Sequence, residues 1–313
     1  MTVRFPVSDY DLAATLGSGQ VFRWQEWDGA WEGILGGQWF RLRQIKAGTG
    51  GGHDVGVEAD AVAPVPDWQL LRRFLRLDDN LTAIRSTFPG DEPMQTAVQA
   101  CPGLRLLRQD PWECLASFIL SSTKRIVQIQ QCVALLCERF GEPVAVPPGR
   151  PAAFQFPSAE ALAAAGDSEL RACRLGFRAP YLAGSARAVA QGRIDLEGID
   201  RLSTAEAREH LVALPGVGRK IADCVLLFAY GRQDAFPVDV WVRRALSELY
   251  FPNRRPSSRV LEQFAATHFG PNAGYAQQYL FHYVRTHLGR RGLGPVVRRP
   301  GRRTVRRRRG SIS

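Results

Sequence analysis

The sequence predicts an α+β protein: an N-terminal antiparallel β-sheet domain packed on an all-helical bundle. Three observations carry this. Alternating apolar and polar residues fill the first part of the chain, Gly-containing turn signals separate those runs, and helical periodicity takes over from Asp78 onward. A length of 313 residues suits two domains. The change of pattern places a sheet domain with flanking helices over residues 1–109, a helical domain over 110–288 and a disordered, Arg-rich tail over 289–313.

The stretch from Phe5 to Leu77 is β-rich. Val21-Phe22-Arg23-Trp24-Gln25-Glu26-Trp27 reads as a strand, Asp28-Gly29 as a hairpin turn, and Ala30 to Leu35 as the returning strand. Trp39 to Ile45 alternates again, Gly48-Thr49-Gly50-Gly51-Gly52 reads as a flexible turn, and a further strand lies near Val55 to Ala61. Such alternation suits a sheet with one solvated face. In the helical part, Asp110-Pro111 is a cap followed by a first-turn proline, which starts a helix through Leu120. Ile126 to Phe140 forms a second helix, Ser158 caps a third, Asp167 opens a fourth, and Tyr181 to Gln191 forms a fifth. Further helices follow up to His287.

The net charge is +11, yet ten arginines and no acid lie beyond Leu288. The body therefore carries 31 basic against 30 acidic residues, so its charge alone does not announce a nucleic-acid partner. The tail is either a source of salt-sensitive, sequence-blind affinity for DNA or a solvated end. Only three lysines occur, Lys46, Lys124 and Lys220, so a positive charge is almost always arginine. Lysine can shed its proton where arginine cannot, so a lysine in a chemically loaded motif suggests amine chemistry. The six cysteines show no Cys-x-x-Cys pair and the five histidines no ligand spacing, so no metal, iron–sulfur cluster or other cofactor is expected. No apolar leader or membrane-length run is present, so the expectation is a reduced, intracellular monomer with no membrane partner.

The richest motif is Leu214-Pro215-Gly216-Val217-Gly218-Arg219-Lys220-Ile221-Ala222. An amphipathic stretch, Thr204 to Ala213, precedes it, and an apolar one, Ile221 to Tyr230, follows. It reads as the turn of a helix-hairpin-helix. Glycines let the backbone turn and approach a ligand closely. The second helix aims free N–H groups at an anion such as a DNA phosphate. Lys220 sits in that helix's first turn, where a neutral amine can be a nucleophile. Taken alone, such a turn is often only a tight connection. Phe236-Pro237-Val238-Asp239-Val240-Trp241 strengthens the functional reading by adding an acidic residue that also caps the next helix.

With that loop the chain resembles the helix-hairpin-helix-GPD DNA glycosylase superfamily. Five ordered segments resemble 8-oxoguanine DNA glycosylases of the eukaryotic type: Ser18-Gly19-Gln20-Val21-Phe22-Arg23-Trp24, Leu106 to Leu115, Leu175-Gly176-Phe177-Arg178-Ala179, Val217 to Cys224, and Gly274-Tyr275-Ala276-Gln277-Gln278-Tyr279-Leu280-Phe281. The resemblance implies a bifunctional glycosylase and AP lyase acting on duplex DNA that contains 8-oxoguanine. It implies Lys220 as the nucleophile and Asp239 as the stabiliser of positive charge on the sugar. Gly19, Cys224, Gln277 and Phe281 would hold the base. Phe177, Arg178, Thr123, Gly216, Gly218 and Trp241 would meet the DNA. For Cys224 and Phe281 the residues alone equally suit core packing.

The chain also departs from that family. Thr123-Lys124-Arg125 stands where its animal members carry three asparagines, and Gln128 where they carry an arginine. Phe177 replaces a tyrosine wedge and Trp241 a histidine. A relaxed preference for cytosine opposite the lesion is therefore expected. The competing readings are a glycosylase for another oxidised or alkylated base, and a non-catalytic DNA binder that uses the hairpin as a phosphate clip.

Overall fold

The computed structural model describes residues 1–46, 54–62, 66–252 and 254–288. The expected turn at Gly48–Gly52 and the expected tail at 289–313 lie outside the described residues. The chain opens with β1 (Thr2–Ser8) and α1 (Leu12–Gly17), then forms β2 (Gln25–Trp27), β3 (Ala30–Leu35), β4 (Gln38–Lys46) and β5 (Asp54–Ala61). These strands make one antiparallel sheet in the order β1-β5-β4-β3-β2. The Asp28-Gly29 hairpin is present, with Trp27 opposite Ala30 and positive φ at both turn residues (51° and 66°). Two positive φ values match the twist of the flanking strands.

The expected strand from Val21 is shorter than its pattern suggests. Only Gln25–Trp27 pairs, because Val21, Phe22 and Trp24 are all buried and so do not alternate between faces. One sheet face packs against α1 and α2 (Trp68–Leu75) through Phe5, Phe40, Leu42, Val57, Leu71 and Phe74. Two short helices follow, α3 (Leu81–Arg85) and α4 (Glu92–Ala100).

The connecting segment 104–109 ties the sheet to the helices. Arg105 is 2% exposed. Its guanidinium donates to the carbonyls of Arg76, Asp79 and Ser8 and lies over the Tyr10 ring. A buried charge needs such acceptors on every side. Gln20, also buried, donates to the carbonyls of Thr15 and Arg105 and accepts from the Leu107 N–H. Gln109 donates back to the Gln20 carbonyl, and its own N–H reaches Phe228. Two segments 85 residues apart are thus bolted together.

Asp110 caps α5 (Pro111–Leu120), whose residues from Cys114 to Leu120 are all buried. α6 (Ile126–Phe140) follows as expected. The helical part is not all-helical: β6 (Pro143–Val144) and β7 (Ala153–Phe154) form a small antiparallel ladder. That ladder gives the Phe154 carbonyl a place to accept from Arg23. Then come α7 (Ala159–Ala164), α8 (Asp167–Ala172), α9 (Ala179–Ala190), α10 (Thr204–Val212), α11 (Arg219–Phe228), α12 (Val240–Tyr250), α13 (Ser258–His268) and α14 (Ala273–Tyr283). A π-helical turn, Val284–Leu288, closes the described chain. Among the described residues no helix is long and apolar enough to cross a membrane.

Candidate active site

The hairpin joins α10 to α11 through Pro215–Gly218. Gly216 has φ 77°, and a Cβ there would come 2.6 Å from the Tyr181 side chain, so conformation and space both require glycine. Gly218 has an ordinary φ of −93° and caps α11, and a Cβ there would meet no atom within 4 Å. Nothing within the fold forbids a side chain at Gly218; bareness there suits the approach of a ligand backbone to the α11 N-terminus.

α11 then presents one side-chain stripe at spacing four: Lys220, Cys224 and Phe228. All three line a cavity of about 310 Å³ between α5, α6, α11, α14 and the Ser18–Gln20 loop. Phe22, Phe118 and Phe228 form its aromatic floor, with Phe118 stacked on Phe228 and edge-on to Phe22. The Lys220 amine lies over Phe118 and donates to the Ser121 hydroxyl at 3.2 Å, and that hydroxyl donates onward to the Phe118 carbonyl. Ser121 thus holds the amine at a fixed place.

Asp239 caps α12, accepting from the Val242 N–H at 2.8 Å, and still borders the cavity. Burial pushes its carboxyl above the usual carboxylate range, while the backbone N–H of Val242 and the charge of Lys220 pull the other way. Burial pushes the Cys224 thiol up to about 11, with Lys220 opposing, so it stays a neutral thiol at pH 7. Gln277 and Phe281, one turn apart on α14, form the opposite wall, and the Gln277 Oε1 is buried without a hydrogen-bond partner. Gly19 lies at the rim with φ 87°, where a Cβ would strike Ile126 at 2.5 Å.

The structure therefore gathers Lys220, Asp239, Gly19, Cys224, Gln277, Phe281 and Trp241 around one cavity. Phe177, Arg178 and Thr123 form a separate group outside it. Phe177 is 55% exposed, and the Arg178 guanidinium lies 4.1 Å from its ring centroid and donates to the Thr123 hydroxyl at 2.7 Å. Thr123 holds φ 57°, which a β-branched residue rarely adopts and asparagine tolerates far better. The Gln128 side-chain oxygen accepts from the Arg125 N–H, so it is spent on capping its own helix. Sequence reasoning missed Ser121, Phe118, Gln278 and Arg285 as cavity residues. Only the four-residue spacing of Gln277, Phe281 and Arg285 gave a signal for the last.

Residues 2–115 match the family model of the 8-oxoguanine DNA glycosylase N-terminal domain, and residues 116–270 that of the HhH-GPD superfamily base excision DNA repair protein. The chain belongs to the HhH-GPD superfamily. It is 31% identical to a protein of Methanothermobacter thermautotrophicus designated Probable N-glycosylase/DNA lyase, over 90% of this chain and 96% of that one. It is 30% identical to N-glycosylase/DNA lyase OGG1 of Arabidopsis thaliana, over 88% and 77% of the two chains. The fold is similar to that of the Clostridium acetobutylicum 8-oxoguanine glycosylase/lyase in complex with dsDNA containing cytosine opposite to 8-oxoG. There the TM-score is 0.80 and the identity 29%, covering 91% of this chain and 97% of that one. In this HhH-GPD chain the lysine, the aspartate and the aromatic-floored cavity occupy one place.

Proposed function

We propose that this protein excises 8-oxoguanine from duplex DNA and nicks the strand at the resulting site. The observation that carries the reading is the meeting of Lys220, Asp239 and Gly19 at one aromatic-floored cavity beside a hairpin suited to phosphate. The glycosidic bond and the base edges cannot be reached within the stacked duplex, so the lesion must be extruded, and Phe177 fills the gap it leaves. The base lies between the Cys224 thiol and the Phe281 ring, with Gln277 at its Watson–Crick edge. The Gly19 carbonyl accepts from the N7 hydrogen that 8-oxoguanine carries. Guanine offers a lone pair there, so the same carbonyl repels it.

The free amine of Lys220 attacks C1′ of the deoxyribose as the glycosidic bond breaks, and the base departs with the bonding pair and takes up a proton. Asp239 stabilises the positive charge that grows on the sugar. The ring then opens to a Schiff base between Lys220 and C1′. Loss of a C2′ proton expels the 3′ phosphate by β-elimination, and water releases the enzyme. Phosphates on the lesion strand rest against Gly216 and Gly218, with Trp241 nearby, and Arg178 and Thr123 face the opposite strand. The protein does this as an intracellular monomer with no metal or cofactor, and the division at residue 109 remains part of this proposal.

A duplex with one 8-oxoguanine tests it. Wild-type protein releases the base, nicks the strand and is trapped on DNA by borohydride. Lys220→Gln loses trapping and slows base release by about 10⁴-fold or more, as expected for removal of a covalent nucleophile. Intact, untrapped DNA with wild-type protein would refute the reading and leave a duplex binder. Faster release of another oxidised or alkylated base would refute the substrate.

A further inference from the structure

Arg285 is a cavity residue with one protein hydrogen-bond acceptor among the described residues. It lies in the π-helical turn after α14, four residues beyond Phe281, and lines the same cavity. Irregular turns of this kind recur at functional sites. Its Nη2 donates to the Gly17 carbonyl at 2.6 Å, and its guanidinium stands 5.6 Å from the Phe281 ring centroid. Its Nη1 lies 3.6 Å from where a Cβ on Gly19 would sit, so it borders the rim at Gly19. Burial lowers its affinity for the proton, and no other group opposes that trend. Among the described residues no carboxylate forms an ion pair with it, and the Gly17 carbonyl is its one protein acceptor. Arg105, by contrast, finds three carbonyls. Its remaining N–H donors are not sealed in the protein and face the open cavity, where a ligand oxygen can accept from them.

We propose that Arg285 is a specificity-determining residue that donates a hydrogen bond to a ring carbonyl oxygen next to N7 of the extruded base. This rests on the function proposed above and deepens it. On 8-oxoguanine the N7–H is flanked by two carbonyls, at C8 and C6. A backbone carbonyl and a cationic N–H side by side complement an N–H beside a C=O. The two groups divide the task. Gly19 rejects a base whose N7 is a lone pair, and Arg285 holds the oxygen next to it. The bond to Gly17 keeps the two in register, because it anchors the guanidinium to the loop that carries Gly19.

The test uses the full chain under single-turnover conditions, with Arg285→Met and Arg285→Lys. Two duplexes are compared, one holding 8-oxoguanine and one a preformed abasic site. For Arg285→Met, release of 8-oxoguanine falls about 10- to 100-fold, the range of one charge-assisted hydrogen bond. Nicking at the abasic site, where there is no base to read, changes far less. Arg285→Lys regains part of the loss. An 8-oxoadenine duplex, which keeps the C8 oxygen and lacks the one at C6, then tells which oxygen is held. Normal release by Arg285→Met would overturn the assignment. So would an equal loss on both duplexes, since that marks a scaffold role. A wild-type protein inactive on both duplexes would instead refute the proposed function.

Discussion

The wall of the cavity formed by Ser18–Gln20 and the surface formed by Thr123, Phe177 and Arg178 are built in opposite ways. The first is fixed from behind. Gln20 is buried and fully engaged with Thr15, Ser18, Arg105 and Leu107, and Arg285, 268 positions along the chain, clasps Gly17. The second is exposed at Thr123 and Phe177, with Arg178 buried beside them. Thr123 sits in a strained backbone, and the Arg178 Nε is buried without a partner. The difference teaches where precision is invested. On the proposed roles, groups that meet the extruded base are preorganised by the core, and groups that meet the other strand settle when DNA arrives. Changes on the cavity side should therefore alter rates equally for every opposite base. Changes on the exposed side should alter only the ratios among them.

After Lys220, the largest effect is expected at Asp239. Asp239→Asn should slow base release by about 10²- to 10³-fold, the scale of losing one preorganised electrostatic group. The loss should be the same whichever base lies opposite. In the wild type the ionised carboxylate is needed, and its affinity for protons is raised, so activity should fall on the acid side above the usual carboxylate range of about 4. A pH–rate profile should show this limb, and Asp239→Asn should flatten it. The sign for stability is the reverse. The folded state holds this proton more tightly than the unfolded chain, so above the unfolded carboxyl's titration range the ionised Asp239 destabilises the fold. Asparagine still caps α12, so Asp239→Asn should raise the melting temperature at pH 7 while it inactivates.

Next comes Gln20. Gln20→Ala strands the Leu107 N–H and the Arg105 carbonyl in a dry interior and should cost about 2–4 kcal/mol in urea denaturation. If excision survives unchanged, the loop does not depend on its backing, and the contrast drawn above is wrong. Smaller still is Thr123→Asn. An asparagine relieves the strained φ, stabilising the fold by about 1 kcal/mol, and adds an amide facing the opposite strand. Excision opposite C, T, G and A should lie within about tenfold of one another in the wild type, a spread of 1.4 kcal/mol. The substitution should steepen the preference for cytosine. The least effect on folding is expected for Gly218→Ala, which should leave the melting temperature nearly unchanged while raising KM for DNA. Gly216→Ala should instead destabilise by about 1–2 kcal/mol through its left-handed backbone.

Much of this was legible in the sequence because its signals are local. Asp110-Pro111, Ser158, the run from Ile126 to Phe140 and the Gly216–Gly218 turn each announce themselves within a few residues. The catalytic pair needed the hairpin and the Pro237–Asp239 loop to be read together, and the base-facing residues needed the resemblance. What stayed hidden is long-range. Arg285 meets Gly17 across 268 positions, and Ser121 meets Lys220 across 99, so no window on the chain contains either pair. The burial of Val21 to Trp24 likewise reflects helices that arrive later in the chain. It defeated a strand assignment that was locally sound.

One consequence follows from the Cys224 thiol. Peroxides attack the thiolate, and a group titrating at about 11 keeps only roughly one molecule in 10⁴ in that form at neutral pH. A sulfur that borders the cavity is thereby sheltered by its own protonation. An enzyme that works on oxidised guanine meets the oxidants that made it, and this pocket keeps its sulfur in a form they attack slowly.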